Sequence, residues 1–186
     1  MGKRTVIGRF VGAPDETLRA IGMVIVMAAQ LDYQRMRILD ITAGIPVADS
    51  ANFTRAQLTK RLKESVSSPP LDRLQARLNT WIQEVIDLWD IRDTLAHSDA
   101  YFETRGDGQQ GHFMLRPKTG KVRPAFTPQK LEEIIDRLSD AGRDATRLEI
   151  EAGILLHQGV DAHEAHLKAH EEYEARVAKM MEEVGG

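Results

Sequence analysis

An all-α fold, an antiparallel bundle of about four to five helices, is what this 186-residue sequence predicts, on three observations. Apolar residues recur at helical spacing through several long stretches. Breakers built on glycine, proline and serine separate those stretches, as short connections do in bundles. One span of any length, about residues 98–126, lacks the helical pattern and predicts a small β-hairpin insertion between the third and fourth long helices.

The elements follow in chain order. Pro14 suits a first helical position, and Leu18, Ile21, Val24, Ile25, Ala28, Leu31, Met36 and Leu39 carry a stripe to Ala43, where Gly44 and Pro46 stop it. Thr54 and Gln57 have capping-box spacing ahead of Leu58, Leu62 and Val66. After Ser67-Ser68-Pro69-Pro70, a third helix runs from Leu71 through Trp81 and Trp89 to about His97. Both tryptophans sit on or beside its apolar stripe, which predicts packing in the core or at a dimer interface. Thr127-Pro128 restarts a helix that reaches Gly159. In the insertion, Phe113–Arg116 and Val122-Arg123 flank Pro117-Lys118-Thr119-Gly120, the expected turn.

Composition narrows the class. At 42% hydrophobic and 28% charged, the chain is a soluble globular one with enough length for a sizeable core. Zero cysteines exclude a disulfide scaffold, cysteine-ligated zinc and cysteine catalysis. The longest apolar run, Ile21 to Ala29, is too short to cross a bilayer, and Asp15 and Glu16 ahead of it do not suit a signal peptide. A cytoplasmic protein with no membrane partner is the expectation.

Charge divides the chain into a bundle over residues 1–160 and an acidic, histidine-containing helix over residues 161–186. Asp161 to Glu183 carries a net of −4, which leaves +1 for residues 1–160 of a chain whose total is −3. Within the body, Arg116, Lys118, Lys121 and Arg123 fall in an acid-free stretch, and Arg55, Lys60, Arg61 and Lys63 form a second basic cluster. Such clusters are solvated faces by default and phosphate-binding surfaces when a reactive group lies near. Gly106-Asp107-Gly108-Gln109-Gln110-Gly111 matches a dinucleotide fingerprint but has no strand–turn–helix around it, so no cofactor is expected.

The strongest chemical signal ends the third helix: Ile91-Arg92-Asp93-Thr94-Leu95-Ala96-His97-Ser98. Arg92, Asp93 and His97, set late in a long helix before a loop, resemble the motif of the HEPN superfamily: arginine, a polar residue, then histidine after a short gap. The resemblance extends over residues 15–157. It implies a dimeric α-bundle acting as a metal-independent endoribonuclease in phage defence, toxin–antitoxin or RNA-processing systems, with an antitoxin or regulatory protein as a further partner. It also covers members that bind RNA or nucleotides without cutting. One subgroup carries a tyrosine two residues after the histidine, where a partner nucleotidyltransferase modifies it; Asp99 stands there in this chain, which speaks against such control.

The residue chemistry agrees with cleavage. Histidine titrates near ~6.5 and can move a proton from a ribose 2′-hydroxyl, which leaves a 2′,3′-cyclic phosphate. Arg92 has the fork to hold a phosphorane, and Asp93, one turn before His97, can orient the imidazole. At 100° per residue, however, Arg92 and His97 leave the helix about 140° apart. Either the helix loosens at His97 or a second subunit supplies the missing group. Tyr101 and Phe102, just beyond, are candidates for stacking on a base, and Arg116, Lys118, Lys121 and Arg123 for holding phosphates. If the motif is only structural, it is an Asp–His pair closing a helix end.

In the tail, His163, His166, His170, Tyr173, Val177, Met180 and Val184 repeat at 3-4 spacing, a seam that predicts a docked helix. Protonation of its histidines would loosen that docking as pH falls through ~6.5. His163, His166 and His170 are also weak candidates for a metal, and so for a metal-binding sensor; no acidic ligand has an obvious place beside them.

Overall fold

The computed structural model describes residues 4–6, 15–103, 112–117 and 126–185, and it is predominantly α-helical. Its helices are α1 (Asp15–Ala43), α2 (Val47–Ser50), α3 (Arg55–Ser65), α4 (Gln75–Ala96), α5 (Pro128–His157) and α6 (Val160–Gly185), with a 3₁₀ turn at Leu71–Leu74 leading into α4. None of them is long and apolar enough to cross a membrane.

Local chemistry sets these boundaries. The Thr54 hydroxyl accepts the Gln57 N–H at 3.2 Å, and the Gln57 side chain accepts the Thr54 N–H at 2.8 Å, closing the capping box of α3. Thr127 caps α5 by accepting the Lys130 N–H at 3.1 Å, with Pro128 as the first helical residue. Gly44 and Gly159 end α1 and α5 at φ +64° and +88°, a left-handed backbone that residues with a Cβ adopt at a cost.

The chain divides into two compact units. Residues 1–34 and 80–145 form the first. Its core takes Val24, Ala28 and Leu31 from α1, Trp81, Ile82, Val85, Leu88, Trp89 and Leu95 from α4, and Leu131, Ile134 and Leu138 from α5. The Trp81 indole N–H donates to the Ala141 carbonyl at 2.8 Å, and Arg137 reaches Glu84 at 2.7 Å. Advancing along α4 thus means retreating along α5, which is antiparallel packing. Both tryptophans are buried in the core of this unit, one of the two placements the sequence left open for them.

The first unit also holds three strands, β1 (Arg4–Val6), β2 (Ser98–Glu103) and β3 (His112–Pro117), in the order β1-β2-β3 with antiparallel pairings. Phe113–Arg116, one arm of the expected hairpin, lies inside β3, which pairs with β2. The turn residues Lys118 to Gly120, and the expected second arm, lie outside the described residues.

Residues 35–79 and 146–186 form the second unit. Ile38, Leu39, Leu58, Leu62, Leu78, Leu148 and Leu155 supply its core. Arg35 is fully buried among them, and its guanidinium donates to the Arg55 carbonyl at 3.2 Å and to the Thr59 hydroxyl at 2.6 Å. Helix α6 returns antiparallel along α5, tied by Glu151 to His163 at 3.1 Å and by Arg147 to Glu174 at 2.5 Å.

Candidate functional site

Helix α4 ends at Ala96 and β2 begins at Ser98, so His97 is the single residue joining the helix to the central strand of the sheet. The change follows from the sequence: the apolar stripe stops at the buried Leu95, and the segment after Ser98 has a partner strand to pair with. The His97 N–H still donates to the Asp93 carbonyl at 3.2 Å. That bond keeps His97 on the helical path, so the rotation between its side chain and that of Arg92 persists within one chain.

Asp93 is placed by Arg92. The Arg92 Nη1 donates to Asp93 Oδ1 at 2.8 Å, and the two side chains are 34% and 43% exposed. That pairing fixes the guanidinium fork beside solvent. His97 is exposed at the end of α4.

The sheet gathers part of the expected binding set. In the β2–β3 register, Arg116 stands opposite Asp99, two residues beyond His97. Tyr101 and Phe102 lie further along β2, opposite Met114 and Phe113. At about 3.3 Å per residue, Tyr101 is about 13 Å along the strand from His97. Only the backbone positions of these three are described, and Lys118, Lys121 and Arg123 lie outside the described residues.

The tail histidines do not converge. Among the described residues, no cluster of three or more His, Cys, Asp or Glu could hold a metal ion. His163 is buried against Glu151, His170 lies 3.6 Å from Glu174, and the His166 and His170 rings are 6.5 Å apart.

A second polar cluster, which sequence reasoning missed, sits in the other unit. Arg77 Nη1 lies 2.6 Å from each oxygen of Glu151, and His163 Nε2 is 3.1 Å from Oε2. Burial pushes the Glu151 carboxyl up. The hydrogen bonds and positive charge of Arg77, with the hydrogen bond from His163, outweigh that and hold it below the usual glutamate range. The signal was available: Glu151 shares a helical face with Leu148, Ala152 and Leu155, where a charge must find partners. This cluster ties α4, α5 and α6 together, and its buried carboxylate is a structural tie.

No family model, no curated protein and no solved structure matches this chain.

Proposed function

We propose that the end of α4 is a metal-independent RNA-cleaving centre of the HEPN type, with His97 as the proton-transfer group. The observation that carries this reading is the exposed imidazole at the helix–strand junction, with the Arg92–Asp93 pair one turn before it. His97 removes the proton of a ribose 2′-hydroxyl, and that oxygen attacks the adjacent phosphorus. The bond to the 5′-oxygen breaks as that oxygen takes a proton from water, leaving a 2′,3′-cyclic phosphate and a 5′-hydroxyl end, and the imidazolium of His97 returns its proton to solvent. Arg92 carries the charge that develops on the non-bridging oxygens, and Asp93 holds its fork in place.

Because the two side chains diverge on one helix, His97 of one copy and Arg92 of another act on one phosphate. Arg116, Lys118, Lys121 and Arg123 hold the flanking backbone, and Tyr101 and Phe102 stack on bases. A cytoplasmic role in phage defence, a toxin–antitoxin pair or RNA processing fits such an activity.

A second reading is favoured by the same ion pair. Asp93 already occupies part of the Arg92 fork, which suits a protein that binds RNA or a nucleotide without cutting it. Incubating the purified chain with single-stranded RNAs in excess EDTA separates the two. Cleavage with cyclic-phosphate ends supports the enzyme, and retention of intact RNA supports the binder.

A further inference from the structure

Helix α3 does not carry its charge in the pattern that helix stability alone would select. Arg55, Lys60, Arg61 and Lys63 stand against one acid, Glu64, a net of +3 on this helix in a chain whose total is −3. All five side chains are exposed. A cation suits the last turn, as Lys63 does, but Arg55 stands in the first turn, where a negative group is favoured and none is present. Elsewhere in the same unit arginines are matched: Arg37 lies 3.2 Å from Glu149, Arg73 2.9 Å from Glu164 and Arg147 2.5 Å from Glu174. Among the described residues neither Arg61 nor Lys63 is in an ion pair. Lys60 meets Glu64 only at 3.7 Å, between side chains 77% and 61% exposed, a contact worth little in water.

We propose that the outward face of α3 is a docking surface for the backbone of single-stranded RNA, with Lys60, Arg61 and Lys63 each taking a phosphate. At 100° per residue Lys60 points directly away from the buried Leu58 and Leu62, with Lys63 about 60° to one side and Arg61 about 100° to the other. A strand crossing this helix of ~16 Å obliquely meets the three in turn. The choice of RNA among polyanions rests on the cleavage reading of α4; the cationic face of α3 stands without it.

Two features fit nucleic acid rather than a lipid surface. The outward positions between the cations include Ala56 and Gln57, with no large apolar side chain to enter a bilayer. The Arg61 guanidinium carbon lies 4.7 Å from the centroid of the Phe53 ring, which holds the fork at the surface and joins a cation to an aromatic face, the combination on which unstacked bases rest. The helix is also fixed from its buried side. Arg35 donates to the Arg55 carbonyl at 3.2 Å and to the Thr59 hydroxyl at 2.6 Å, and the Thr42 and Ser65 hydroxyls meet at 2.7 Å near its other end. Cations held on such a frame release counterions from a phosphate backbone with little further ordering.

The test measures binding of a short, labelled single-stranded RNA by fluorescence anisotropy over a series of salt concentrations, on the whole chain carrying His97→Ala so that cleavage does not enter. Lys60→Gln, Arg61→Gln and Lys63→Gln together should raise Kd at least about tenfold at low salt. They should also flatten the log–log salt slope by about 2, since each single-strand phosphate contact contributes about 0.7. Lys168→Gln, Arg176→Gln and Lys179→Gln remove the same charge from exposed sites on α6 and should change Kd less than about twofold. Glu64→Gln should tighten binding about twofold. Circular dichroism on each variant reports folding, and Lys63→Glu alone repeats the test with one exposed change. Binding that the α3 triple leaves unchanged, that both triples weaken equally, or that vesicles of anionic lipid show with the same α3 dependence would overturn the proposal. Retention of RNA through α3 by a wild-type chain that never cuts it would leave this surface standing and remove the cleavage reading; cleavage with binding unchanged in the α3 triple would do the reverse.

Discussion

His163 on α6 and Glu151 on α5 face each other at 3.1 Å, and each side chain is only 5% exposed. The carboxylate that accepts from His163 also takes the guanidinium of Arg77, so a single buried acid joins three helices. Removing it leaves a buried imidazole without its acceptor and a cation without its partner. Glu151→Ala should therefore cost about 2–4 kcal/mol in denaturant unfolding, below the full range for a buried pair because Arg77 is half-exposed. Amide exchange should accelerate first in the initial turns of α6. An effect under ~1 kcal/mol would count against the tie.

The pH response follows from the same group. Glu151 titrates below the usual glutamate value of 4.5 in the folded chain, so the stability it contributes is present above that value. That contribution is lost as pH falls through the depressed value. The seam of histidines predicted from the sequence would loosen through ~6.5; in the structure only His163 is buried, and it faces a carboxylate. The attachment of α6, followed by hydrogen exchange, should hold from pH 7 down to the usual glutamate value of 4.5 and weaken as pH falls below it.

Glu149 offers the opposite sign. Burial raises its carboxyl above the ordinary range, and Arg37, 3.2 Å away, offsets only part of that. A raised folded value means that the ionised group detracts slightly from stability at neutral pH. Glu149→Gln should thus be neutral or stabilising at pH 7, within about 0.5 kcal/mol, although it deletes an ion pair. A loss above ~1 kcal/mol would contradict this balance.

Trp81 anchors α4 to α5 through its indole N–H on the Ala141 carbonyl. Trp81→Phe removes the donor and part of the ring, so chemical denaturation should show a loss of about 2–3 kcal/mol. An unchanged midpoint would mean that the carbonyl finds another donor.

Helix edges were legible because their determinants are local. Thr54, Thr127-Pro128, Gly44 and Gly159 act within a few residues of themselves, and each ends or begins a helix as expected. The buried polar residues were not, since Arg35 and Glu151 look like interruptions of an apolar stripe until distant partners meet them. The partner of β3 was missed for a related reason: Ser98 to Glu103 reads as loop in isolation and becomes a strand through pairing on both sides. Of the candidate site, sequence placed Arg92 and His97 at the helix end. The ion pair between Arg92 and Asp93, neighbours in the chain, was not among the expectations.

In the proposed cleavage His97 moves the proton. The direct measurement compares wild type, His97→Ala and Arg92→Ala on one labelled single-stranded RNA, in EDTA, with circular dichroism and thermal unfolding run on each. The prediction is cleavage by wild type to 2′,3′-cyclic phosphate ends, with a loss of about 10²–10⁴ in rate for His97→Ala at unchanged fold. Arg92→Ala should lower the rate by a similar factor. Cleavage by His97→Ala at the wild-type rate, or wild-type cleavage that EDTA abolishes, would contradict it.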